Sequence, residues 1–186
     1  MTVDFRIKMR YSLSVMNRKK ADKMKKITIL ALSFALLAVC LSGCSGEGGQ
    51  KVEGTLEELT QRIYGNLDPS VELPPVMNMA LTEEGTEFNP HIEYFIGAKG
   101  IPFAEGLVSE AAIGAHAYSL VLLRMEPGAD IEAAKALIKE NVDPMKWICV
   151  GVDPADVVVD SIGDLVVLIM SEHSAALREA FQKLAG

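Results

Sequence analysis

The sequence predicts an α+β domain: a two-layer sandwich with a mainly antiparallel or mixed sheet of four to five strands, about three helices and a partly ferredoxin-like order. Three observations carry this. Apolar residues recur at helical spacing in three separate segments around residues 56–67, 131–138 and 177–184. Between them lie short β-forming runs, notably Val157-Val158-Val159 and residues 165–170. Pro, Gly and Asp clusters punctuate the segments, as at Pro127-Gly128 and at residues 160–164.

Taken in order, Thr55 followed by Glu58 forms a capping-box pattern, and Leu56, Leu59, Ile63 and Leu67 share one helical face up to Asp68-Pro69. Pro74-Pro75 opposes regular structure, so residues 72–80 read as irregular and residues 97–109 as a loop. Ile92, Tyr94 and Ile96 alternate with Glu93 and Phe95, which predicts an edge strand. The run 118–125 is apolar on both faces apart from Ser119 and Arg124, the pattern of an interior strand. Asp130 is placed to cap a helix with Ile131, Ala134 and Ile138 inward. After Pro144, residues 147–150 read as a short strand, with Trp147 and Cys149 on one face as core packing. A hairpin over residues 157–170 leads to a last helix that starts at Ser171 or Ser174 and buries Leu177, Ala180, Phe181 and Leu184. No internal repeat is visible.

Ahead of this domain lies a lysine cluster, then an uncharged apolar run over residues 27–41. At about 1.5 Å per residue that run covers roughly 22 Å as a helix, short of the roughly 30 Å hydrocarbon core. A charged start, a short apolar middle and a small-residue exit are the parts of a secretory signal. Leu41-Ser42-Gly43-Cys44 closes it and resembles the lipobox of bacterial lipoproteins, with Leu41, Ser42 and Gly43 as the signal-peptidase recognition residues and Cys44 as the lipid attachment site. The resemblance implies cleavage before Cys44, a diacylglyceryl-Cys44 thioether and a location on the extracytoplasmic face of the cell membrane. Met24-Lys25-Lys26 makes a more compact signal start than Met1. The expected organisation is a stretch 1–23 that comes from a misassigned upstream start, a signal peptide 24–43, a lipidated tether 44–54 and a single ectodomain 55–186.

Removing the leader changes the electrostatics. Residues 1–43 hold nine Lys+Arg and two Asp+Glu, which leaves nine basic and 23 acidic residues and a net charge of −14 from Cys44 onward, against −7 for the whole chain. So acidic a domain is unsuited to nucleic acid or to anionic headgroups. Of three cysteines, Cys40 leaves with the signal and Cys44 carries lipid, so Cys149 stands alone and is expected to be a buried, inert thiol. The fold then depends on its core rather than on disulfides.

Motifs for chemistry are sparse. No Walker loop, Gly-x-Ser-x-Gly elbow, His-Glu-x-x-His helix or Gly-x-Gly-x-x-Gly turn occurs. His91, His116 and His173 stand in three unrelated settings, and no metal ligand set or cofactor is expected. His91-Ile92-Glu93 copies the H-x-E of zinc deaminases without their Cys pair. Met77 and Met79 read as apolar anchors rather than as a soft-metal site. Asp153, Asp156 and Asp160 lack the order of a calcium loop, and Glu83, Glu84 and Glu87 read as a solvated loop.

The block 140–150, with Lys146-Trp147-Ile148-Cys149-Val150 at its end, followed by Val157-Val158-Val159-Asp160 and Ile162-Gly163-Asp164-Leu165, resembles a domain of unknown function in putative lipoproteins of Gram-positive bacteria. Residues 117–122 are similar to a second segment of that family. The resemblance spans roughly residues 55–185 and implies an exported lipoprotein, with no catalytic residue to carry over. The leading expectation is a non-enzymatic module of the cell envelope that binds a small molecule or an envelope protein, with contacts in segment 72–80 and loop 97–109, including Phe103. The alternatives are an envelope hydrolase whose Asp and Glu residues converge only in the fold, and a structural accessory subunit.

Overall fold

A computed structural model describes residues 51–185. The lipobox, the signal peptide and the start at Met24 lie outside the described residues. The fold is built on one antiparallel sheet in the order β1-β2-β3-β5-β4, from β1 (Val76–Leu81), β2 (Phe103–Ala111), β3 (Ser119–Met125), β4 (Val157–Ile162) and β5 (Leu165–Met170). Among the described residues, four α-helices accompany it: α1 (Leu56–Gly65), α2 (Ile92–Ile96), α3 (Ile131–Asn141) and α4 (Ser174–Gln182). The class is α+β with an antiparallel sheet, as the sequence predicts.

The layering is richer than two layers. β3 and β5 are buried along their whole length, so side chains leave both faces of the sheet into apolar surroundings. Leu120, Leu122, Leu165, Val167 and Ile169 pack with α1 and α4 through Leu59, Ile63, Leu177 and Phe181. Val121, Leu123, Val166, Leu168 and Met170 face the other way and pack with α2 and α3 through Phe95, Ile96, Ala134 and Ile138. Two central strands with no polar face require helices on both sides. At about 25 cal/mol per Å² of apolar surface, leaving either face wet would forfeit a dominant share of the folding energy.

β3, α3 and β4 form a split β-α-β unit: β3 and β4 run parallel, and β5 lies between them antiparallel to both. This is the ferredoxin-like part. α3 and α4 nonetheless sit on opposite faces, because their buried residues belong to the two different cores.

The helix boundaries follow their caps. Thr55 accepts from Glu58 N–H while the Glu58 carboxylate accepts from Thr55 N–H, the complete capping box. Asp130 accepts from Ala133 N–H at the start of α3. Each such cap is worth about 1 kcal/mol. α1 stops at Gly65, ahead of the Asp68-Pro69 breaker.

Several local expectations are corrected. Residues 92–96 form a helical turn, not a strand. Ile92, Phe95 and Ile96 are buried at helical spacing, and Gly97 closes the turn at φ +79 with its N–H on Glu93 O. A five-residue apolar run satisfies both periodicities, and the glycine decides between them. Segment 72–80 contains most of β1, because Pro74-Pro75 only precede the strand and a sheet edge tolerates them there. Loop 97–109 contains most of β2, and Phe103 is a core residue at 8% exposure.

Residues 147–150 are irregular. Asp143 folds the segment into a turn by accepting from Met145 N–H, and Val152 N–H closes the loop on Pro144 O. Cys149 is exposed rather than buried, Ile148 is fully exposed, and Trp147 is only partly buried against the α2–α3 core.

Candidate functional site

Each end of the sheet carries one buried cation. At the end where β3 finishes and β5 begins, Arg124 is 6% exposed. Its Nη1 donates to Asp164 Oδ2 at 2.7 Å and to Val52 O at 3.0 Å, and its Nη2 donates to Gly54 O at 2.7 Å. Asp164 Oδ1 accepts from Val52 N–H at 2.9 Å, and Glu105 adds a looser contact at 3.4 Å. A guanidinium with five donors suits this work, because it can hold a carboxylate and two carbonyls at once. The result clamps the chain just before α1 to one end of the sheet.

At the opposite end, the Lys146 side chain is 2% exposed. Its Nζ pairs with Glu110, the penultimate residue of β2, and donates to Ser119 Oγ at 3.2 Å. Three rings surround the ammonium, with centroids at 4.7 Å (Tyr94), 5.1 Å (Trp147) and 5.4 Å (Phe95). Burial lowers the Lys146 pKa from 10.5, and the Glu110 and Asp143 carboxylates oppose that shift. Removing an ammonium and a carboxylate from water costs several kcal/mol per ion, and their attraction offsets this only with good geometry. Cation–π contacts of about 2 kcal/mol when desolvated help to keep Lys146 seated. With almost no surface reachable by a substrate, this amine acts as a plug that ties loop 142–151 to the sheet.

A third polar cluster lies on the α1–α4 face. Tyr118 Oη donates to Tyr64 Oη at 2.9 Å, and Tyr64 Oη donates to Ser109 Oγ at 2.7 Å. Burial raises both phenol pKa values, Tyr118 well above 10, so neither serves as a base near neutrality. The chain of hydroxyls joins α1 to β2 and to the residue that leads into β3.

The carboxylates that sequence reasoning left open as a hydrolytic pair are spread out. Asp160 binds Arg178 and Gln182, Glu132 binds Lys135, and Asp153 accepts from Ala155 N–H in a turn. Asp156 receives the Ser174 hydroxyl at 3.5 Å. Among the described residues, no three His, Cys, Asp or Glu side chains gather as a metal site. His91 and His116 are exposed, and His173 sits half-buried at the N-cap of α4. Met79 is buried at 7% exposure, whereas Met77 is 42% exposed, so only one of the pair anchors.

Sequence reasoning missed Lys146 and Glu110 as a pair and did not assign Arg124 a role. A single charge inside an apolar strand was a usable signal for Arg124, since such a charge must find partners. Nothing comparable marked Lys146, whose partners lie 27 and 36 residues away.

No protein-family model, curated protein or solved structure matches this chain.

The Lys146 plug leaves apolar side chains on the outside of its end of the molecule. Met145 is 62% exposed and Ile148 fully exposed on the loop that Lys146 pins. Met77, opposite Glu110 in the β1–β2 register, and Ile113, just past the Ala112 N–H bond to Pro75 O, are exposed at the same end of the sheet. Lone exposed apolar residues are ordinary, but several at one end of a small acidic domain fit contact with another molecule.

Proposed function

We infer that this chain is a lipid-anchored, extracytoplasmic lipoprotein of the cell envelope, whose acidic α+β domain is a protein-binding module. The supporting observation is the placement of the Arg124 clamp. Arg124 and Asp164 hold residues 52–54 at one end of the sheet, and the apolar side chains Met77, Ile113, Met145 and Ile148 lie at the other. Cys44 lies seven residues before Lys51, a reach of no more than about 25 Å when fully extended. A tether entering there joins the domain at its Arg124 end, opposite the Met145–Ile148 end. The net charge of −14 from Cys44 onward keeps the domain off anionic headgroups.

Among the described residues, no helix is long and apolar enough to cross a membrane, so the reading rests on the Cys44 lipid for attachment. The test is lipid labelling of the full chain in a bacterial host that processes lipoproteins. Wild type should take up labelled fatty acid and fractionate with membranes. Cys44→Ala should lose the label, and inhibition of the lipoprotein signal peptidase should leave a larger precursor. A wild-type protein that carries no lipid overturns the reading.

A further inference from the structure

We propose that the open edge of β1 receives an extended basic segment of another protein as an added, sixth strand. The inference deepens the binding-module reading but does not depend on the lipid anchor.

The first observation is an exposed edge. β1 pairs with β2 on one side, and among the described residues no strand pairs on its other side. The hydrogen bonds show which groups point out. Pro75 O accepts from Ala112 N–H on the β2 side, whereas Thr82 N–H and O bond Gly85 on the outer side. By strand alternation, the N–H and C=O of Val76, Asn78 and Ala80 also point outward. The Thr82–Gly85 bridge already continues that outer row, so a strand laid beside Ala80, Asn78 and Val76 would extend existing pairing.

The second observation is the contrast between the two edges of the sheet. The β4 edge is bordered by Lys135 and Lys139 of α3 and Arg178 of α4, and Lys139 Nζ bonds Val157 O directly. Lysines placed this way block strand addition. β1, in contrast, reads Val-Met-Asn-Met-Ala-Leu, with no charge and no proline inside it. Asn78 and Ala80 are exposed there, and Met77 offers apolar surface.

The third observation selects the partner. Residues 63–98 contain six carboxylates and no Lys or Arg. Glu72 precedes β1, and Glu83, Glu84 and Glu87 follow it, all exposed. A surface groove lined by Ala80, Thr82, Glu84, Gly85, Thr86, Glu87 and Pro90 continues the edge. A second copy pairing β1 to β1 would bring two such base-free segments together, so repulsion opposes it. A segment alternating apolar and basic residues satisfies the backbone row, the Met77 surface and the flanking acids together.

The experiment uses the full chain in neutral detergent micelles, with two synthetic peptides that alternate valine with either lysine or glutamate. Calorimetry measures binding, and amide exchange locates it. The lysine peptide should bind more weakly as salt rises, and it should slow exchange at Val76, Asn78 and Ala80. The glutamate peptide should not bind. Asn78→Pro removes an outward N–H that the β1–β2 ladder does not use, so it should keep the far-UV spectrum and lose binding. If Asn78→Pro does not fold, Asn78→Lys serves, and it should weaken the lysine peptide by charge. Equal binding of both peptides, protection at β4, binding unchanged in the variants, or self-association through β1 would each overturn the proposal. A wild-type protein that takes up no lipid label in the test above would sink the anchor and leave this result standing.

Discussion

Arg124 Nη1 lies 2.7 Å from Asp164 Oδ2, and together these two side chains bond the backbone of Val52 on both its N–H and its C=O. One ion pair thus couples the end of β3 and the β4–β5 turn to the chain segment that leads into α1. Arg124→Met should leave the Asp164 carboxylate, which is 19% exposed, without its cation, and should free two backbone carbonyls. The expected cost is about 3 kcal/mol by urea unfolding. It should come with faster amide exchange at Val52. An unchanged Val52 amide would show that Arg124 does not hold the segment.

The Lys146 plug makes a different prediction. Lys146→Met removes one member of a buried pair and should cost about 3 kcal/mol, because Glu110 is then stranded at 14% exposure. Adding Glu110→Gln should recover more than half of that loss, since neither side chain is then charged. Trp147 is the chain's single tryptophan, so a red shift of its emission in Lys146→Met reports release of the loop. Equal stability of the single and double variants would refute the pairing energetics.

Gly97 is a backbone requirement. It closes α2 at φ +79, and an added Cβ would collide with the Asn141–Val142 backbone at the end of α3. Gly97→Ala should therefore cost at least about 3 kcal/mol, combining left-handed strain with a contact that only backbone movement relieves. A melting temperature within a degree or two of wild type would contradict the packing of α2 on α3.

Acid stability should depend on Asp160. Burial pushes its carboxyl upward, but hydrogen bonds from Arg178, Ser161 N–H and Gln182 reverse this and leave the pKa below 3.8. As pH falls below about 3.8, the unfolded chain binds a proton that the folded chain resists, so stability present above that pH is lost as pH falls through the folded pKa. Asp160→Asn should flatten this part of the profile in pH-dependent melting curves. An identical acid limb in wild type and variant would assign the effect to other carboxylates.

Cys149 should react as a surface thiol. In a Cys40→Ser/Cys44→Ser background it is the chain's single thiol, and native protein should react with a chromogenic disulfide reagent to one equivalent without denaturant. Labelling that requires unfolding would return Cys149 to the interior.

The elements legible in the sequence are those that carry their own signal. The capping box at Thr55 and Glu58, the Asp130 cap, the β4–β5 hairpin and the inward face of α4 all follow from spacing within one segment. The unread elements took their identity from neighbours. β1 and β2 look loop-like because proline, glycine and glutamate lie in or beside them, yet Met79 and Leu81 inside and Asn78 outside make an edge. Residues 147–150 have strong β propensity, but Lys146 draws the loop toward Glu110 and turns Ile148 and Cys149 outward.

By itself, the sequence determined the class of fold, most helix limits, the acidity of the domain and the expectation of a lipid anchor at Cys44, because each depends on residue type and short-range spacing. Only the tertiary structure decided that helices cover both faces of the sheet and that Arg124 and Lys146 mark opposite ends of it. Among the described residues, it alone showed β1 to be unpaired on its outer side and β4 to be bordered by lysines. Those outcomes depend on contacts between residues tens of positions apart, and local patterns cannot choose a partner at that distance.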